Sequence, residues 1–225
     1  MSAIPNPRER AQTAPEEIAN SLSHGLTLLA ALVAAPFLFV AHSGHELRIA
    51  DGIGYAVFAA TMVLLYLTST VYHALPDGSS KRLFLRLDLA AIYLFIAGSY
   101  TPFALGAMSA IDSSTDSWAW ARLVGVWAIA VVGASLKVFE RLSHPILSTS
   151  LYLVMGWTVL IAALPLIERA PAASVFWLVA GGIAYSVGVI FFVLDSRLRF
   201  AHAVWHAFVA MGTGFHFVAV LNYAV

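Results

Sequence analysis

The sequence predicts an all-α protein: a seven-transmembrane helix bundle, with its amino terminus in the cytoplasm and its carboxyl terminus outside. Three observations predict this class. Of 225 residues, 60% are hydrophobic and 11% charged, and the mean hydropathy is +0.84, far from the balance of a soluble domain. Seven segments are long and apolar enough to cross a bilayer, which takes about 20 residues each. Runs such as LTLLAALVAAPFLFV and VGVWAIAVVGASL are continuous, whereas strands of a membrane barrel alternate apolar and polar positions.

In chain order, residues 1–16 open with MSAIPNPRERAQTAP, polar and proline-containing, and read as a disordered cytoplasmic lead rather than a cleavable signal. Residues 17–225 form one transmembrane domain whose spans fall near 22–42, 51–73, 83–108, 118–137, 146–167, 174–194 and 202–224. The connecting turns, HSGHELRIADG, ALPDGSSKR, SAIDSSTDS, ERLSHP and IERAPAAS, carry the Gly, Pro, Asp and Ser that stop helices. Pro36, Pro102 and Pro165 lie in or near apolar runs, where a bundle tolerates or uses a kink. Tryptophans such as Trp118, Trp120 and Trp177 open spans, as interface anchors do. No internal repeat of the secondary-transporter kind is visible.

Basic residues set the orientation. With the amino terminus inside, Arg8, Arg10, Lys81, Arg82, Arg86, Lys137, Arg141, Arg197 and Arg199 fall on the cytoplasmic side, against Arg48, Arg122 and Arg169 outside. Nine against three in short loops is a clear positive-inside bias. The expected location is the cell membrane. A net charge of zero gives no reason to expect nucleic acid, and the absence of cysteine excludes disulfides, thiolate ligands and a cysteine nucleophile.

Ionisable residues inside spans are costly and mark function by default. In this orientation four of the seven spans bring polar stripes to the cytoplasmic end. The second span ends with Ser69 and His73, i and i+4 on one face; the third begins with Asp88 inside the apolar layer. The seventh opens with His202 and His206, again i and i+4, and the first carries Glu17, Asn20 and His24 on one stripe. Three neutral imidazoles, His73, His202 and His206, form a zinc-type ligand set that leaves a position for water. Asp88 could deprotonate that water, Ser69 could bind it or an oxyanion, and Glu17, Asn20 and His24 could orient the ligands.

Each residue also has a plainer role open to it. His73 could bond a carbonyl at the interface, Asp88 could pair with Arg82, Arg86 or Arg199, Ser69 could ease helix packing, and the first stripe could be a helix cap. The glutamate of HExxH is absent between His202 and His206, which excludes a zincin. His42, His45 and His216 lie too far along their helices to join, and His144 precedes Pro145 in a turn.

The elements EEIANSLSHG, STVYH, DLAAIY and HAVWH together resemble the bacterial hemolysin III branch of the progestin and adipoQ receptor family. The resemblance implies a seven-helix bundle with an inward amino terminus and a zinc ion on His73, His202 and His206. It also implies that Asp88 and Ser69 contact the water at that zinc. Through the family's similarity to alkaline ceramidases it implies hydrolysis of a lipid amide, while the branch takes its name from haemolytic activity. The short lead and loops differ from receptor members with large cytoplasmic domains, which weighs against hormone signalling.

The expected activity is therefore zinc-dependent hydrolysis of a lipid amide or ester, with membrane lipid, lipid amide or free fatty acid as the bound partner. A membrane sensor or receptor with a structural zinc is the alternative from another class. A cytolytic protein is a third, although no polar stripe crosses the whole bilayer. Nothing in the sequence indicates an oligomeric state.

Overall fold

A computed structural model describes residues 10–40, 48–109, 117–142, 144–167 and 170–223, and every regular element among them is helical. The elements are α1 (Ala14–Ala34), the one-turn α2 (Phe37–Val40), α3 (Ile49–Ala74), α4 (Ser79–Ser109), α5 (Ser117–Val138), α6 (Pro145–Ile167), α7 (Ala172–Leu194) and α8 (Ala201–Tyr223). Among the described residues six segments are long and apolar enough to span a membrane: Ala14–Val40, Ile49–Ala74, Ser79–Gly106, Trp120–Val138, Ala172–Leu194 and Ala201–Tyr223. The expected span at 146–167 falls on α6, whose described apolar stretch, Leu147–Ile161, is shorter. Residues 1–9 of the lead, His42, His45 and Arg169 lie outside the described residues, as do the side chains of Trp118 and Pro165.

α1 starts at Ala14, eight residues before the expected first span at 22 and inside the lead expected to end at 16. The reason is a local device that hydropathy does not register. Thr13 is the N-cap, and the Glu16 carboxylate reaches back to accept from its N–H at 2.9 Å and its hydroxyl at 2.7 Å. The helix then turns its polar side inward. Glu16, Asn20 and His24 are 0%, 0% and 4% exposed, whereas Leu22, Leu26 and Leu29 are 60% exposed or more. That pattern suits a helix whose solvent is hydrocarbon. Pro36 ends the regular part of α1, and α2 continues it for a turn, while α4 runs unbroken through Pro102.

The helices close into a ring. α1 packs on α3, α3 on α4, α4 on α5 and α6, α6 on α7, α7 on α8, and α8 returns to α1. Small residues permit the closest approaches. A Cβ on Gly98 of α4 would lie 2.0 Å from Thr61 Oγ1 of α3, and one on Gly212 of α8 would lie 2.7 Å from the Tyr185 ring of α7. One core cluster joins Phe58, Tyr66, Phe95, Phe103 and Val209 across α3, α4 and α8. Another joins Tyr93, Tyr100, Val126, Ala130 and Met155 across α4, α5 and α6. The consequence for the site is that the beginnings of α1, α4 and α8 meet the end of α3 at one end of the bundle.

Candidate metal centre

Three histidines converge at that end. One ring nitrogen each of His73, His202 and His206 lies within 4.8 Å of the others, with His73 and His206 buried and His202 partly so. Ring centroids are 5.1 Å apart for His73 and His202, 5.0 Å for His73 and His206, and 4.7 Å for His202 and His206. His202 and His206 share a face of α8 through their helical spacing, and His73 comes from the last turn of α3.

What the other ring nitrogens do decides the chemistry. His73 Nδ1 lies 2.6 Å from Glu17 Oε2, His202 Nδ1 2.9 Å from Asp195 Oδ2, and His206 Nδ1 3.2 Å from the Asn20 carbonyl oxygen. A carboxylate or carbonyl oxygen can only accept, so each Nδ1 must carry the hydrogen. In a neutral ring that makes Nε2 the acceptor nitrogen. His73 Nε2 is buried and has no hydrogen-bond partner among the described residues, a costly state for a polar atom unless something else satisfies it. A cation with an affinity for imidazole fits this donor set, because ligating histidines are ordinarily held by such an outer partner.

The surrounding residues lock this arrangement. Ser23 Oγ donates to the Asn20 carbonyl at 2.8 Å and lies 3.0 Å from His206 Nδ1. His24 stacks on His206, with centroids 3.5 Å apart and planes 9° from parallel, and its Nδ1 is 2.7 Å from Ser69 Oγ. The expected residues therefore gather here, in modified roles. Glu17 meets His73; Asn20 meets His206 through its backbone, while its side-chain amide has no partner among the described residues. His24 bridges Ser69 and His206. Ser69 is buried, and Asp88 lies beside it on α4 within electrostatic range of His202.

Among the described residues, Arg86 pairs with Glu140 at 2.5 Å, and Arg199 lies over the Phe200 ring, so neither is shown paired with Asp88. His216 stands apart: its Nε2 is 3.2 Å from the Leu178 carbonyl, and it packs edge-on to Tyr185. His144 is exposed in the α5–α6 turn.

Sequence reasoning missed Asp195, Ser23, Lys81 and Glu16. Asp195 ends α7, seven residues before His202, and no helical periodicity links the two across a turn. Glu16 was legible in principle, because it lies four residues before Asn20 on the same stripe and three after Thr13.

Comparison with known proteins shows the family. The family model described as Haemolysin-III related matches residues 12–217. The "Hemolysin-3 homolog" of Bacillus subtilis (strain 168) is 40% identical over 215 residues, covering 95% of this chain and 96% of its own. "Hemolysin-3" of Bacillus cereus is 37% identical over 214 residues, covering 95% and 94%. The human "Monocyte to macrophage differentiation factor" is 26% identical over 220 residues, covering 94% and 85%. With the motifs on the first, third, fourth and eighth helices, the match over nearly the whole chain makes this a multi-pass integral membrane protein of the haemolysin-III family.

Proposed function

We propose that this protein is a zinc-dependent membrane hydrolase acting on a lipid amide or ester. We place it in the membrane as a seven-span bundle with α6 as one of the spans, its amino terminus cytoplasmic and its carboxyl terminus outside. The orientation rests on the nine-to-three bias of basic residues, which puts the histidine cluster at the cytoplasmic end. The hydrolase reading rests on one observation: three imidazoles whose ring nitrogens converge within 4.8 Å share a level of the bundle with Ser69 and Asp88.

In this reading His73, His202 and His206 hold the metal, which when bound acidifies a water and polarises a carbonyl. Glu17, Asp195 and the Asn20 carbonyl fix the ring tautomers, so no imidazole has to reorient to act as a ligand. Asp88 takes the proton from the attacking water as general base and returns it to the leaving amine or alkoxide as the acyl C–N or C–O bond breaks. Ser69, whose hydroxyl is already positioned by His24, donates a hydrogen bond to the oxygen that gains charge. For the lipid chain, an apolar groove of about 290 Å³ lies between α3, α4 and α5. Its lining includes Leu64, Leu94 and Val131, and also Thr68 and Leu87, the chain neighbours of Ser69 and Asp88.

A second reading is a membrane sensor in which the metal is structural, and the geometry that favours it is the cross-link such an ion makes between α3 and α8. The experiment that separates the two is metal analysis of the purified protein together with turnover of lipid amides. Zinc near one per chain, lost on replacing both His202 and His206 by Ala, is expected, with turnover abolished in Asp88→Ala at unchanged zinc. Absence of zinc sinks both readings. Full zinc without turnover of any acyl amide or ester favours the sensor.

A further inference from the structure

Glu16 is the most completely engaged carboxylate among the described residues, and it touches none of the three histidines. It is 0% exposed. Its Oε1 accepts from Arg10 Nη2 at 2.6 Å and from the Phe200 backbone N–H at 3.0 Å. Its Oε2 accepts from Arg10 Nη1 at 2.7 Å and from the N–H and hydroxyl of Thr13. Arg10 Nη2 lies 3.4 Å from the Asp195 carbonyl oxygen. Arg10, before α1, and Glu16, in the first turn of α1, thus meet the α7–α8 turn at its two ends, Asp195 and Phe200, across more than 180 residues of sequence.

That turn has backbone hydrogen bonds of its own, from the Arg197 and Leu198 N–H groups to the Leu194 carbonyl at 2.9 Å each, but it also contains one strained residue. Phe200 has a φ of 60°, a left-handed conformation that a side chain with a Cβ disfavours. The residue is 40% exposed, and the Arg199 guanidinium lies over its ring at 5.8 Å. Two residues later stands His202, and Asp195, at the other end of the turn, supplies the oxygen for His202 Nδ1. The hydrogen bond from the Phe200 N–H to Glu16 is the contact that stabilises the unfavourable conformation.

We infer that Glu16, held by Arg10, is a positioning residue that clamps the α7–α8 turn and so sets the Asp195–His202 pair for metal binding. The inference rests on the metal reading above, and it assigns to a pair that touches none of the three histidines the task of ordering the one of them that is only partly buried. Neutralising Glu16 loosens the turn, and removing the strain at Phe200 makes the clamp less necessary.

The test uses the full-length protein in lipid nanodiscs, with Glu16→Gln, Arg10→Gln, Phe200→Gly and the Glu16→Gln/Phe200→Gly double variant. Two readouts are followed: backbone amide exchange over residues 195–200 without metal, and cobalt(II) affinity from its ligand-field absorption. Expected are faster exchange in the turn and a roughly tenfold weaker cobalt affinity in Glu16→Gln, the scale of losing an outer-shell partner. Arg10→Gln gives a smaller change of the same kind. Phe200→Gly recovers at least half of the logarithmic loss of affinity in the double variant, which a mere helix-capping role at Thr13 does not predict. If Glu16→Gln matches wild type in both readouts, or if Phe200→Gly rescues nothing, the clamp is refuted. If the wild type takes up no cobalt, the metal reading falls, and exchange in the turn still decides whether Glu16 clamps it.

Discussion

Glu17 stands between His73 and Lys81: its Oε2 receives the His73 Nδ1–H at 2.6 Å while its Oε1 pairs with Lys81 Nζ at 2.9 Å. Lys81 in turn donates to the Tyr72 and Leu75 carbonyls at the end of α3, the helix that carries His73. One carboxylate of α1 therefore sets the tautomer of His73 on α3 and ties it to the start of α4. Because Lys81 caps the last carbonyls of α3, the position of His73 is fixed from two sides.

Glu17→Gln keeps an acceptor but loses the charge, and Gln can turn its amide nitrogen toward His73. Metal affinity is expected to fall by roughly ten- to a hundredfold, measured by competition with a chromophoric chelator. Lys81→Met, which leaves the Glu17–His73 contact in place, is expected to cost less. Equal affinity in Glu17→Gln and wild type would show that the contact has no part in holding a metal.

Asp88→Asn removes a base without changing shape. Turnover of a lipid amide is expected to drop about 10²- to 10⁴-fold, with metal content unchanged by elemental analysis. Ser69→Ala is expected to lower turnover as well and to free His24 Nδ1, which now meets Ser69 Oγ at 2.7 Å. Loss of metal in Asp88→Asn would instead make Asp88 part of the binding architecture.

Gly98→Ala puts a methyl group 2.0 Å from Thr61 Oγ1 and 2.9 Å from Thr61 Cβ at the α3–α4 contact. Overpacking of this kind costs about 1–3 kcal/mol, read as a lower midpoint in detergent unfolding. Thr61→Ala in the same chain is expected to restore part of the loss, since it removes Oγ1 and Cγ2 while the Cβ at 2.9 Å remains. A stable Gly98→Ala protein with the original helix spacing would contradict the close approach.

Lys137 is buried at the end of α5, where its ammonium donates to the Leu142 carbonyl at 2.8 Å and to the Ser148 hydroxyl of α6. Lys137→Met leaves that carbonyl without this donor and is expected to destabilise the α5–α6 turn by about 1–3 kcal/mol. Limited proteolysis within 139–144 reads this out. Cleavage no faster than wild type would show that the lysine is dispensable there.

The histidines and Asp88 were legible because each sits at a definable helical register near the end of an apolar run, so span order and charge bias bring them to one level. Glu17, Asn20 and His24 were legible as a stripe, but not their division of labour, which depends on rotation between α1 and its neighbours: Asn20 meets His206 with its carbonyl rather than its amide. Asp195 was illegible, since its contact with His202 runs through a turn with a left-handed residue. The start of α1 was misplaced because hydropathy counts Glu16 and Asn20 against a membrane helix, although both face inward there.

The inward polar face of α1 has a consequence for how the protein is made. Its partners on α8 and the preceding turn, His206 and the Phe200 N–H, belong to the part of the chain synthesised last. Until they arrive, Glu16 lacks its Phe200 donor, the Asn20 carbonyl lacks His206, and His24 has its α3 partner Ser69 but not the stacked ring of His206, so α1 with α3 alone is a poorer guest in the bilayer. The ring can close only when its first and last staves meet, so assembly itself tests the chain for completeness. A chain truncated before α8 is expected to expose the start of α1 to protease in membranes, whereas the intact protein protects it; equal protection in both would mean that α1 is satisfied without α8.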